Sequence, residues 1–252
     1  MTTPSKQEVY DEANRDPLES PYRISVIYGD IGSRKTTLAA SLVKEKGLLL
    51  STDGSWESLL NSRHEELYKK LKITEVDAIS QFNHIDFDAG YDTVIWDTAS
   101  ETVDTFLDLM YDEADWAGKI REKITTNNKE LKKLKVQALG AMDYRVTRDT
   151  LRPVIKKLFE GCNSHIVINA QVKKPMAGLS TDTQMRPDIP AATFKIIGVK
   201  ATLIGHTKPV SGKYVIDFTN NLTQLGKTRI EGIEGSMDHQ TFITRYKERV
   251  FS

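Results

Sequence analysis

The sequence has a single cysteine, no net charge and no apolar run approaching the roughly 18 residues that a membrane span needs. One cysteine, Cys162, excludes an internal disulfide framework and any thiolate-rich zinc site, and it fits a reducing compartment. Lys plus Arg and Asp plus Glu both total 35. No overall basic field therefore draws the chain to nucleic acid, and any such contact must come from a local patch. There is no internal repeat and no low-complexity tract. Met1 to Glu19 is polar and acidic and carries no signal-peptide pattern. These absences lead to the expectation of a soluble cytoplasmic protein that makes no membrane contact.

At 252 residues and 39% hydrophobic, the chain suits one α/β domain better than two. Residues 1–20 carry Pro4 and Pro17 among charges and read as an N-terminal arm. Arg23 to Tyr28 is β-branched and apolar, the profile of a buried parallel strand. Lys35 to Lys46 reads as a helix stopped by Gly47, Leu48 to Leu50 as a short strand, and Trp56 to Leu71 as helical. Tyr91 to Asp97 is a strand ending in a carboxylate, followed by an amphipathic helix from Glu101. Residues 119–140 are rich in Lys and Glu and read as a helical or mobile insertion. Asp143 to Phe159 is helical again, with Pro153 as a kink or break. His165 to Ala170 is another strand, and residues 172–192 a long loop. Ala201 to His206 and Tyr214 to Phe218 read as strands, with Ser211-Gly212 as a hairpin turn between them. A short helix, 236–252, closes the chain. Strands alternating with helices predict an α/β fold, a mostly parallel sheet flanked by helices, with an antiparallel edge hairpin.

The strongest motif is Gly29-Asp30-Ile31-Gly32-Ser33-Arg34-Lys35-Thr36. It matches the phosphate-loop pattern G-x-x-x-x-G-K-[ST] at Gly29, Lys35 and Thr36, with Arg34 where the second glycine belongs. Gly32 is the other candidate for the flexible point. Backbone N–H groups of such a loop and of the helix it opens point at an anion, and the helix dipole adds to their field. Lys35 is expected on the terminal phosphates of ATP, the Thr36 hydroxyl on Mg²⁺, and Thr37 near the α-phosphate. The bland alternative is a chance glycine turn before a helix. The β-branched strand before the loop and the amphipathic helix after it are the context that the motif requires.

Asp97, at the end of an apolar strand, is the candidate second magnesium-holding group, because ligands of open α/β sheets gather at the carboxyl ends of strands. A helix cap is the alternative for it. Asp53 follows the second strand and, if that strand neighbours the first, faces the γ-phosphate as a candidate base; otherwise it is a turn aspartate before Gly54. Glu101 is a rival base or a first-turn helix glutamate. Gln171, at a strand end, is a candidate γ-phosphate sensor or an exposed strand-end residue.

The phosphate loop, Asp53, Asp97 and Gln171, in that order, together resemble the RecA-like branch of P-loop ATPases. A closer likeness is to the small phage-encoded RecA-like ATPases of the Sak single-strand-annealing type. It is carried by Tyr28 to Ala40, Tyr91 to Thr98, Asp143-Tyr144 with Arg148, His165 to Gln171 and Gly226 to Arg229. The likeness spans residues 23–232, inside an ATPase domain expected over 21–235. It implies ATP binding and hydrolysis with Mg²⁺, coupled to single-stranded DNA in recombination or replication, in a homo-oligomeric ring or filament. A single-strand-binding protein is an implied partner, and the host cytoplasm the implied location. It also implies DNA contacts from the loop after Gln171, here Lys173, Lys174 and Arg186. A basic residue reaching the ATP of an adjacent subunit is implied as well, with Lys208, Lys227 and Arg229 as candidates. Arg34 and the short carboxylate of Asp53 depart from the family pattern, and the shorter acid implies either slow hydrolysis or a base located elsewhere. Two other classes stay open. One is a small-molecule kinase whose lid arginines would be Arg121, Arg145 or Arg148. The other is a nucleotide-gated assembly or loader protein that barely hydrolyses ATP.

Overall fold

The computed structural model describes residues 22–76, 79–87, 89–103, 141–160, 162–175 and 184–252. The expected arm at 1–20 and insertion at 119–140 lie outside the described residues, as do residues 176–183 of the loop after Gln171.

The first strand, β1 (Ile24–Gly29), lies in the middle of the sheet. It pairs in parallel with β5 (His165–Lys173) on one side and with β7 (Leu203–Val210) on the other. Beyond β5 come β4 (Thr93–Asp97), β2 (Gly47–Ser51) and β3 (Leu71–Glu75), all parallel. Beyond β7 the sheet turns antiparallel through β8 (Lys213–Asp217) and β10 (Ser236–Asp238). Two short strands, β6 (Arg186–Pro187) and β9 (Lys227–Thr228), pair antiparallel with β5 and β7. The expected mostly parallel α/β sheet with an antiparallel edge is the one observed. The hairpin turn falls at Ser211-Gly212, where φ is 48° and 77°. Two successive left-handed residues are what a two-residue turn needs to match the strand twist.

Period-two alternation sorts the strand residues onto two cores. Val26, Tyr28, Leu48, Leu50, Val94 and Trp96 face one layer, covered by helices α3 (Ala141–Glu160) and α4 (Ala191–Lys200). Ile27, Leu49, Ile95 and Val167 face the other, under α1 (Lys35–Leu42) and α5 (His239–Val250). Every residue of β2 and β4 is buried, as strands covered on both faces require.

Four readings are corrected. Trp56 to Leu71 is not one helix: a 3₁₀ turn (Ser55–Leu59) and the single turn α2 (Glu65–Tyr68) lead into β3, which extends the sheet beyond β2. The side chain of Asn61 accepts from Arg63 N at 3.0 Å, and this local turn interrupts helical continuation. The helix opened by Lys35 ends at Leu42, because Lys44, Glu45 and Lys46 donate their N–H groups to the Asp92 carboxylate instead. Helix α3 runs unbroken through Pro153, so of the kink and the break only the break falls; buried Leu151, Val154, Ile155 and Leu158 hold the helix on the sheet despite the lost hydrogen bond. Finally, β2 does not neighbour β1, since β4 and β5 lie between them.

Candidate functional site

The site forms at the carboxyl ends of β1, β4 and β5. Gly29 ends β1 beside Gln171 of β5 and Thr207 of β7. A Cβ on Gly29 would lie 2.3 Å from the Thr207 carbonyl oxygen, so no side chain fits there. The loop then turns through Gly32 (φ 78°) and Arg34 (φ 63°), both left-handed. Arg34 thus adopts the conformation for which the motif uses glycine, and both candidate flexible points are used. Its guanidinium lies 4.2 Å from the centroid of the Tyr214 ring. Ile31 is exposed at the tip, and Asp30 forms an ion pair with Lys174 at 2.8 Å. Ser33 is buried, its carbonyl accepting from Thr207 Oγ1 at 3.1 Å and its own Oγ without a hydrogen-bond partner.

Lys35 folds back over the loop. Its Nζ donates to the carbonyls of Gly29 (3.0 Å) and Asp30 (2.9 Å). Burial pulls its ammonium below the ordinary lysine value, against the opposing pull of Asp97, Asp53 and Asp30. Thr36, in the first turn of α1, donates from Oγ1 to Asp97 Oδ2 at 2.6 Å. Thr37 is half-buried behind it.

Asp97 is fully buried at the end of β4. Ser55 Oγ donates to its Oδ2 at 2.9 Å and Asn169 Nδ2 to its Oδ1 at 3.0 Å. Burial pushes its carboxyl above the ordinary range, and the bonds from Thr36, Asn169 and Ser55 oppose that. The alternative role of Asp97 as a helix cap belongs to Thr98, whose Oγ1 accepts from Glu101 N at 3.3 Å. Asn169 and Ser55 are missed by sequence reasoning. Asn169 had a visible signal, a lone amide inside an apolar strand; Ser55 had none beyond its position after Asp53-Gly54.

The other candidates lie as follows. Asp53 is exposed and accepts from Ser55 N at 2.9 Å, the turn arrangement, yet its charge reaches both Lys35 and Asp97. Glu101 is exposed in the helical turn 99–103. Gln171 is half-buried beside Gly29, its N–H donating to Ser100 Oγ at 2.9 Å. Lys173 pairs with Asp188 at 3.3 Å, and Arg186 is in β6, opposite Lys173. Lys208 is bound within its own chain to Asp217 (3.0 Å) and Gln224 (3.1 Å). Lys227 donates to Gly198 O at 2.7 Å near the C-terminus of α4, and burial, then Arg229, lowers its pKa to about 8. Arg229 follows β9 at the far end of β7 from the phosphate loop.

A strand, a glycine-limited anion loop, a buried lysine and a threonine bonded to a strand-end aspartate match what a polyphosphate site requires. Residues 21–230 match the family model described as AAA domain. The chain belongs to the AAA domain family. That membership makes it a nucleotide-binding P-loop protein of a nucleotide-hydrolysing class. The match spans β1 to β9 and so includes the loop, Asp97 and Gln171. The chain is similar to the solved structure of the RadB recombinase, at 15% identity over 79% of this chain and 80% of that one, with a TM-score of 0.40. This is a distant likeness of fold alone. No curated protein matches the sequence. Among the described residues, no helix is long and apolar enough to cross a membrane.

Proposed function

We propose that the protein is a RecA-like ATPase of the phage single-strand-annealing type, which binds Mg·ATP at residues 29–37 and acts on single-stranded DNA as a homo-oligomer. The observation that carries the ATP reading is the contact of Thr36 with Asp97 beneath the loop that holds Lys35.

In this reading the main-chain N–H groups of Gly32 to Thr37 and the N-terminus of α1 receive the phosphates. The Lys35 ammonium exchanges the Gly29 and Asp30 carbonyls for the terminal phosphate oxygens. Magnesium suits the donors, two hydroxyls and a carboxylate, which are hard oxygen ligands. When bound, it supplies positive charge against the β- and γ-phosphate oxygens. Thr36 and Asp97 would hold it. Asp53 would orient the attacking water from beside the strand of Asp97, not from a strand next to β1, since β2 pairs with β4 at Ser51 and Asp97. One Asp53 oxygen is committed to Ser55 N, and the other makes no hydrogen bond among the described residues. Gln171, beside Gly29, would report the γ-phosphate to the chain that follows it.

The DNA reading is supported by the placement of that following chain. Lys174 joins it to Asp30 of the phosphate loop, so the loop and the basic segment share a contact. We further propose a role in recombination or replication in the cytoplasm, with a single-strand-binding protein as a partner. The test is ATP turnover with and without single-stranded DNA, together with DNA binding at low salt. Stimulated turnover and nucleotide-dependent binding are expected. Absence of both stimulation and binding would overturn the DNA reading.

The engagement of Asp53 as a turn cap favours a second reading, a nucleotide-gated assembly protein with slow hydrolysis. Oligomerisation driven by ATP with negligible turnover would select it.

A further inference from the structure

Three oxygens from separate segments meet beneath the phosphate loop. Thr36 Oγ1 and Ser55 Oγ lie 2.6 Å and 2.9 Å from Asp97 Oδ2, and 3.2 Å from each other. A carboxylate oxygen only accepts, so both hydroxyl protons point at it and both hydroxyls keep lone pairs. Magnesium holds oxygens at about 2.0–2.1 Å in an octahedron, which places adjacent ligand oxygens about 2.9 Å apart. The observed triangle has the size of one octahedral face.

The position of Ser55 is fixed independently of Asp97. Gly54 turns the chain at φ 69°, the Asp53 carboxylate holds Ser55 N, and buried Leu59 anchors the 3₁₀ turn that follows. Asn169 holds the other carboxylate oxygen at 3.0 Å, which turns Oδ2 toward the two hydroxyls. The donors of the triangle are two hydroxyl oxygens and one carboxylate oxygen. It is therefore a hard-oxygen set, unsuited to a soft ion.

We infer that Ser55 is a third protein oxygen of the divalent-cation site, beside Thr36 and Asp97. The inference rests on the nucleotide reading above. It differs from a purely structural part for Ser55, bonding a buried carboxylate, in one respect: a ligand atom sets which metal binds.

The test is calorimetric titration of Mg²⁺ or Cd²⁺ into the full chain with ADP present, alongside Mn²⁺ binding followed by the electron paramagnetic resonance of the free ion. Ser55→Ala and Ser55→Cys are expected to weaken Mg²⁺ about tenfold, the scale on which one supporting contact changes metal affinity. Ser55→Thr keeps the hydroxyl and retains wild-type affinity. Cd²⁺ restores tight binding to Ser55→Cys and not to Ser55→Ala, because a thiolate prefers the softer ion. Wild-type Mg²⁺ affinity in a folded Ser55→Ala variant overturns the inference. So does an equal response of the Cys and Ala variants to Cd²⁺, with circular dichroism confirming that both are folded. If wild-type protein binds ADP equally with Mg²⁺ and with a chelator, the metal part of the nucleotide reading falls together with the inference.

Discussion

The Arg34 guanidinium rests on the face of Tyr214, and Arg34 itself stands in the left-handed backbone region. The phosphate loop is thus strained at one residue and braced there from the edge hairpin. Arg34→Ala keeps the strain and removes the brace, so it is expected to lower stability by about 1 kcal/mol. Arg34→Gly removes both, and should exceed the alanine variant by about 1 kcal/mol in urea unfolding. Equal midpoints for the two variants would contradict this account of the loop.

Gly29 admits no side chain, since its Cβ position lies 2.3 Å from Thr207 O, and that oxygen is backbone. Gly29→Ala is expected to cost about 1–3 kcal/mol through overpacking. It should also displace the loop enough to abolish nucleotide-dependent stabilisation in thermal unfolding. A variant that ATP stabilises as it does the wild type would show that the loop tolerates the shift.

Asn169 gives the buried Asp97 a hydrogen bond in addition to the two hydroxyls. Asn169→Ala leaves that carboxylate oxygen without a donor, at an expected cost of about 1–3 kcal/mol. Asn169→Asp sets a second acid against a buried one and should be worse. Chemical denaturation of both variants checks the order; an aspartate variant as stable as the wild type would refute it.

His165 and His239 have pKa values pushed down to about 4 by burial, helped by Arg23 and Arg34 respectively. The folded protein keeps both neutral where the unfolded chain protonates, beginning near the ordinary value of about 6.5. Stability is therefore full above that value and is lost as pH falls toward 4, by at most about 1.4 kcal/mol per pH unit for each imidazole. Urea midpoints measured between pH 7.5 and 4.5 should fall, and less steeply in His239→Gln. A flat profile would contradict the assignment.

Much of this site is local in sequence and was legible there. The loop, the strand before it and the helix after it are contiguous, and Asp97 ends an apolar run, so spacing alone identified Lys35, Thr36 and Asp97 as candidates. The sheet order is not legible in the sequence, because it depends on crossovers: a place for Asp53 beside the first strand requires β2 to adjoin β1, and two strands separate them. Strand β3 was hidden because its pattern Leu-Lys-Ile-Thr-Glu follows a stretch rich in helix formers. Helix α4 was missed because Ile196, Ile197, Gly198 and Val199 weaken a helical reading, while burial of Ile197 against the sheet overrides propensity. Asn169 and Ser55 acquire meaning only from what the fold brings beside Asp97.

The central claim is that Lys35 and the amides around it grip a polyphosphate. Calorimetric titration of Mg²⁺ with a non-hydrolysable ATP analogue into wild type and Lys35→Met tests it most directly. The account predicts one site per chain in the wild type. Affinity in the variant should be about ten- to a hundredfold weaker, the loss expected for a charge-assisted contact. No heat from folded wild-type protein, or equal affinity in the two proteins, would contradict it.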